Sequence, residues 1–229
     1  MQPNEVIIAT DSWKSAFPGA VVGALVMSGV HNPEHSAGLE PCKRRLEEDL
    51  RRTAGSGPAG SGADRVLRAY ADYYRSHGNT YHVRAQWESV AVKGKPIPGR
   101  AALVEAMFMA ELKNLILTAG HDLEAVARPV QVSVTRDDDR YVVLGGRERA
   151  VGPGDMMMAD RKGIISSVLH GPDGRTRITA ETREVMFAVY APAGIDESDV
   201  RRHLEDLRAN VLLVAPAATT ELVATLSAD

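Results

Sequence analysis

Three stretches of this 229-residue chain hold side chains that could do chemistry. Residues 166–178, SSVLHGPDGRTRI, gather Ser166, Ser167, His170, Asp173, Arg175 and Thr176 around a Gly-Pro-Asp-Gly turn. Gly171 and Gly174 let the backbone approach a ligand closely, and the planar fork of Arg175 matches a carboxylate or phosphate. Residues 96–122 end in His121-Asp122 after a helix-forming run. Polar groups at the end of a buried strand often line a pocket. Residues 79–88, NTYHVRAQWE, mix His82, Arg84 and Glu88 with Tyr81 and Trp87, as a partly buried polar surface does. Plainer readings exist, since Pro-Asp-Gly is ordinary turn chemistry and His-Asp ends many capped turns. Residue types alone leave both open.

Other chemistries find no support. The histidines at 31, 35, 77, 82, 121, 170 and 203 lack paired ligand spacing and Cys42 is the one cysteine, so no metal is expected. No glycine-rich loop ends in Lys followed by Ser or Thr, so neither ATP chemistry nor another cofactor is expected. A net charge of −3 and a pI near 6.2 argue against DNA and leave any RNA contact to a local patch. Hydrophobic residues make up 44% and charged residues 25%, with no apolar run of membrane-spanning length. The N-terminus lacks the layout of a signal peptide and a lone cysteine excludes an internal disulfide framework. A soluble cytoplasmic protein without membrane contact is expected.

The elements that must position these groups follow from periodicity. Pro96 and Pro98 forbid a helix before Gly99, and residues 101–112 then predict about three helical turns, apolar nearly all round, with Glu105 and Glu111 as the only acids. Residues 115–117, Leu-Ile-Leu, predict a short buried strand leading to His121. Residues 6–9 and 20–30 predict strands, with 11–18 a loop between them. Residues 43–52 predict an exposed amphipathic helix, and helical spacing resumes at Val66, Leu67, Tyr70 and Tyr74 after a flexible loop at 55–62. Val130, Val132 and Val134 alternate with polar residues and predict a hairpin with 141–144. Residues 156–159 and 163–169 supply more β pairing, and 184–190 a strand. Val200, Leu204 and Leu207 mark a helix, 211–214 a final strand, and the run to Leu226 a small helix. The sum is an α+β fold with mixed and antiparallel sheets flanked by helices, expected as one domain over 1–229.

The chain resembles the tRNA-editing domain of the bacterial phenylalanyl-tRNA synthetase β subunit. In that family a helix opening on Val-Val-Asp is followed by Pro-x-His-Ala-x-Asp; here Leu103-Val104-Glu105 begins the segment and Asp122 ends it. Val130 to Val134, Leu144-Gly145-Gly146, Ala159-Asp160 before Gly163, and Glu181-Thr182 with Val185 are similar to the rest of the pattern, so that the likeness covers residues 83–212. The strings NTYHVRAQWESVA, AMFMAELKNLILTAGHD and GPDGRTRI resemble the freestanding relatives of this domain, the group that includes canavanyl-tRNA(Arg) deacylase. Two departures stand out: the family's editing His falls on Ala119 and its editing Glu on Ala188, with His121 and Tyr190 two residues on and so on the same strand faces.

The resemblance implies a trans-editing hydrolase that cleaves the ester of a mischarged aminoacyl-tRNA, canavanyl-tRNA(Arg) being the best candidate. Its partner would be the aminoacylated 3′ end of tRNA, with transient contact to a synthetase. His121 would orient or deprotonate a water, and Ser166, Ser167 and the backbone N–H near Gly171 would serve the oxyanion. Arg175 would hold the terminal phosphate beside Thr176 and Asp173. Ser167, Tyr190 or Asn114 would donate to the side-chain oxygen of canavanine, while Glu88 or Asp160 pairs with its cationic head, with His82 and Arg84 on the wall. Lys93, Lys95 and Arg100 on one side, and Arg175, Arg177 and Arg183 on the other, would meet RNA. The other classes implied are a tRNA-end or amino-acid-binding module without hydrolysis, and a synthetase partner protein.

Overall fold

A computed structural model of the chain describes residues 2–58, 62–99 and 101–228. Of the flexible loop expected at 55–62, residues 59–61 lie outside the described residues, as does Arg100. The elements are α1 (Pro3–Val6), β1 (Ile7–Ala9), α2 (Asp11–Ala16), β2 (Val21–Ser28), α3 (Glu40–Thr53), α4 (Ala63–Ser76), α5 (His82–Ala91) and α6 (Ala102–Asn114). The chain continues through β3 (Thr118–Asp122), β4 (Val130–Val134), β5 (Arg140–Val142), β6 (Glu148–Ala150), β7 (Met156–Asp160), β8 (Gly163–Ser167) and β9 (Gly171–Pro172). It ends in β10 (Glu184–Ala191), α7 (Glu197–Val214) and β11 (Thr219–Ser227).

The fold is α+β. One sheet, of order β11-β2-β10-β3, is antiparallel throughout. The other, β1-β4-β7-β8-β9, is mixed because β1 pairs with β4 in parallel and the remaining pairs are antiparallel. Strands β2 and β10 are buried along nearly their whole length, as their unbroken Val, Ala, Leu, Met and Phe runs require of strands covered on both faces. Helices α6 and α7 pack together and α7 lies on β2. Gly23 makes that approach possible, since a Cβ there would stand 2.6 Å from Val200 Cγ1. The opposite face meets the mixed sheet, where Tyr190 and His121 reach Ser166 of β8.

Helices α4 and α5 are tied to this arrangement by tyrosines. Tyr70 and Tyr81 stack with ring centroids 4.2 Å apart, and all four hydroxyls of this aromatic group are bonded. Tyr70 donates to Tyr190 O, Tyr73 to Asp155, Tyr74 to Val168 O and Tyr81 to Leu115 O. Each buried ring thus spends its hydroxyl on a strand or loop beside the site.

Several expectations change. The run at 115–117 is not a strand: Leu115 takes φ 59°, ends α6 in the left-handed conformation, and β3 begins at Thr118. His121 therefore sits inside a strand. The valines of β4 pair with β1 and β7, while β5 turns back through Gly145-Gly146 onto β6. Residues 211–214 continue α7, because Val200, Leu204, Leu207, Val211 and Val214 form one buried helical stripe. The C-terminal run is β11, an edge strand, and short helices occupy 11–16 and 82–91.

Candidate functional site

A cavity of about 730 Å³ opens between α5, α6, β3 and the segment after β8. The proline segment before α6 contributes Pro96 and Pro98, α6 contributes Val104, Glu105, Met107, Phe108 and Glu111, and α5 contributes His82. Residues 167–172 form the opposite wall with Tyr190, and Thr118 and Ala119 lie between. Residues 96–119 and 167–172 thus line one cavity. Ala119 and Ala188 are directly paired across β3 and β10, so the two positions aligned with the editing His and Glu face each other as methyl groups.

Behind this wall runs a buried polar relay. Thr176 Oγ1 donates its one proton to Asp173 Oδ1, so at 2.8 Å it must accept from His121 Nδ1–H. His121 Nε2 is then the acceptor for the Ser166 hydroxyl at 3.3 Å, and Tyr190 donates its hydroxyl to Ser166 Oγ at 2.5 Å. Asp173, Thr176, His121, Ser166 and Tyr190 are all buried. Burial, reinforced by the Arg175 charge, lowers His121 to about 4, against a smaller opposing pull from Asp160. Its imidazole is neutral at pH 7. Burial likewise raises the Tyr190 hydroxyl, only partly offset by the bond to Ser166, so it stays protonated. Of the relay, Tyr190 alone lines the cavity. His121 and Ser166 lie one hydroxyl behind the surface.

Ser167 does line the cavity, accepting from His170 N–H at 3.2 Å, and Gly171 follows in the same wall with φ 75°. His82 and His170 line it too, and both are held below the usual imidazole value. Loss of hydration is the first cause for each, although the His82 side chain keeps an exposed edge, with the Arg149 charge adding at His170.

Other expected residues lie elsewhere. Arg84 is exposed and Glu88 half-buried, and they bond each other at 3.2 Å along α5, as i,i+4 pairs do. Asn114 donates to Asp206 of α7 at 2.9 Å, on the far end of α6. Asp160 is fully engaged: Arg175 contacts both its oxygens at 2.9 Å, and the N–H groups of Ala127 and Lys162 each add a bond at 2.8 Å. Arg175 is therefore a structural clamp and not a free phosphate ligand. Asp173 and Thr176 belong to the relay and do not face the cavity.

The acids in the cavity lining are Glu105 and Glu111, although both carboxyl oxygens of Glu105 are themselves buried. Both are buried on α6, and their signal was two acids on a helix apolar nearly all round. Glu111 Oε1 accepts from Thr118 N–H at 2.7 Å, and burial nevertheless raises its carboxyl to about 8. Lys43 Nζ stands 2.8 Å from Glu105 Oε1 and also pairs with Glu40. Lys43 is thus the charged partner of Glu105, whose two oxygens are otherwise without a hydrogen-bond donor. Among the described residues no cluster of three or more His, Cys, Asp or Glu could hold a metal ion, and no helix is long and apolar enough to cross a membrane.

With this geometry in place, comparison with solved structures is informative. An N-terminal fragment of the phenylalanyl-tRNA synthetase β subunit from Pyrococcus horikoshii matches with a TM-score of 0.51 at 10% identity, over 98% of this chain and 55% of that one. The chain shares the fold of that fragment. In sequence, the phenylalanine–tRNA ligase β subunit of Anaeromyxobacter dehalogenans (strain 2CP-C) is 33% identical over 99 residues. The match takes in 39% of this chain and 12% of that protein, so the chain spans a small part of its relative's length. No family model matches. Both likenesses fall on the same synthetase subunit.

Proposed function

We propose that this cavity receives the aminoacylated 3′ end of a mischarged tRNA and hydrolyses its ester, the protein acting as one editing-type unit in trans. The observation that carries the reading is a cavity within the roughly 300–1,000 Å³ range of small-molecule sites, walled by both stretches that resemble the editing domain. An aminoacyl ester is already activated, so the protein has chiefly to position a water and stabilise a developing oxyanion. Ser167 and the backbone near Gly171 are the oxyanion candidates on the wall. His170 and His82, neutral at pH 7, are placed to accept the water's proton. His121 then acts as a positioning residue, holding Ser166 and through it Tyr190, which belongs to the cavity lining. Lys95 at the mouth, and Arg149 close enough to lower His170, supply positive charge for the phosphates of a tRNA end.

The candidate substrate is canavanyl-tRNA(Arg), on the resemblance to the freestanding relatives, with Glu111 in the cavity lining as the carboxyl that would meet a cationic side chain. A second reading, a tRNA-end or amino-acid-binding module, is favoured by the alanines at 119 and 188, which remove both side chains the synthetase domain would use. Incubating the full chain with canavanyl-, arginyl- and tyrosyl-tRNA, and following both ester loss and tRNA retention, separates them. Selective ester loss supports the hydrolase; retention of charged tRNA with the ester intact supports the module.

A further inference from the structure

The β5–β6 hairpin stands beside the cavity and is held there by its first strand. Tyr141 of β5 donates its hydroxyl to Gly171 O at 2.6 Å, Gly174 N–H donates to Val142 O at 2.9 Å, and Leu144 N–H donates to Pro172 O at 3.1 Å. Strand β5 is thereby fastened along 171–174, where the cavity wall ends. Strand β6 pairs with β5 alone among the described residues and is exposed throughout. Tyr141 and Arg149 oppose each other across the pair, so Arg149 projects from the side of the hairpin that meets the wall. Its charge reaches His170 in the cavity lining. Arg147, two residues before it and bonded through its carbonyl to Val143 N–H, extends the same row. Both arginines are exposed, and neither side chain has a hydrogen-bond or ion-pair partner among the described residues. Glu148 points to the other face with Val142, and Asp137, Asp138 and Asp139 lie in the turn before β5, at its far end from Leu144. Leu144 lines the cavity yet is 55% exposed, and Lys95, also exposed, lines the opposite wall beside Pro96.

We propose that the β5–β6 hairpin is the arm that holds the single-stranded 3′ tail of an RNA, with Arg147 and Arg149 on successive phosphates, Leu144 against the last nucleotide, and Lys95 meeting the tail across the mouth. This rests on the reading of the cavity as the seat of a tRNA 3′ end, and adds which element delivers that end and how little of the RNA is read. Alternate residues of a strand stand about 6–7 Å apart, the scale of neighbouring phosphates in an extended single strand. Arginine forks suit phosphate oxygens, and an exposed leucine beside them suits the face of an unstacked nucleotide rather than a paired stem. Three cations on a chain of net charge −3 are too few to grip a duplex, so the RNA body stays outside the contact and selection falls on what the tail carries into the cavity.

The test is fluorescence anisotropy of the full chain with an uncharged RNA minihelix ending in single-stranded ACCA, and with the same stem cut blunt, over a series of KCl concentrations. The tailed RNA should bind at least about tenfold tighter than the blunt one, with a log–log salt slope near about −2 from three contacts at about 0.7 each. Arg147→Gln and Arg149→Gln should each weaken the tailed RNA by about three- to fivefold, the range of an exposed ion pair, and each take about 0.7 off the slope. Leu144→Ser should weaken it with the slope unchanged. Arg45→Gln, across α6 in a second pocket with Met109 and Lys113, should alter neither quantity. Equal affinity for tailed and blunt RNA, or a wild-type slope in the double arginine variant, overturns the proposal and leaves this patch to a protein partner. Tail binding through the hairpin without ester loss from any charged tRNA keeps the arm and removes the hydrolase. Ester loss at the wild-type rate in the double variant, at subsaturating tRNA, keeps the hydrolase and removes the arm.

Discussion

Replacing Tyr190 by Phe removes one hydroxyl and keeps a ring that is 1% exposed, so cavity effects drop out. The lost hydroxyl donates to Ser166 Oγ at 2.5 Å, and Ser166 in turn meets His121 Nε2 at 3.3 Å. The cost is one neutral hydrogen bond plus the desolvated Ser166 oxygen left behind, about 1–2 kcal/mol. For a chain of this size each kcal/mol lowers Tm by about 2–4 °C, so Tyr190→Phe should melt about 2–8 °C below the wild type. Ser166→Ala breaks both links, stranding His121 Nε2 and leaving the Tyr190 hydroxyl only its 3.4 Å contact with the backbone carbonyl of Ser166, costing about 2–4 kcal/mol. In the double variant the shared link is counted once. Its loss should fall short of the sum of the single losses by about 1 kcal/mol or more. Guanidinium chloride denaturation of the four proteins at pH 7 measures this coupling. Additivity within about 0.3 kcal/mol would refute the relay and, with it, the positioning role given to His121.

Stability should peak near pH 6.5. His121 and His203 are both lowered to about 4 by burial, so stability they contribute is present above the unfolded value of 6.5 and is lost as pH falls from there toward 4. Glu111 runs the other way: raised to about 8, its contribution is complete below the unfolded value of 4.5 and declines as pH rises through 8. Two histidines outweigh one acid below pH 6.5 and the acid acts alone above it, so denaturation midpoints should fall on both sides; Glu111→Gln should flatten the alkaline side, and an unchanged slope there would contradict the assignment. Lys43→Met should cost about 3–5 kcal/mol by leaving Glu105 as an uncompensated buried charge, and Glu105→Gln in the same chain should restore much of it. A neutral Lys43→Met would show that the pair is not holding Glu105 in place.

Elements with a strong one-body signal were legible in the sequence. Helix α6 was, because its apolar residues leave no polar face, and β2 and β10 were, because strands covered on both sides read as unbroken apolar runs. Choices that depend on the rest of the fold were not. Leu115-Ile116-Leu117 has the same composition whether it is a strand or a buried coil, and the left-handed Leu115, bonded through its carbonyl to Tyr81, is a tertiary decision. The valines of β4 alternate as a hairpin strand would, but alternation names a face and not a partner, and the partners are β1 and β7. The same division holds at the site. His121, Ser166, Ser167 and Tyr190 were picked out from local polar sequence and the resemblance, and all four are buried in strands, though Ser166 and Ser167, consecutive in β8, point to opposite faces. Glu88 and Asp160 looked equally available, yet one lies along α5 against Arg84 and the other is consumed by Arg175. What separates Glu105 and Glu111 from them is a place in the cavity lining, which comes from the packing of α6 and not from the residue type.

The most direct test of the central claim is hydrolysis of canavanyl-tRNA(Arg) by the purified full chain, followed as loss of acid-precipitable amino acid at pH 7 with arginyl-tRNA(Arg) in parallel. Loss of canavanine over the uncatalysed rate, abolished or strongly slowed in Tyr190→Phe and His170→Ala, is the result predicted here. Canavanyl-tRNA that decays at the rate of the protein-free control, across enzyme concentrations sufficient to bind the tRNA, would contradict it.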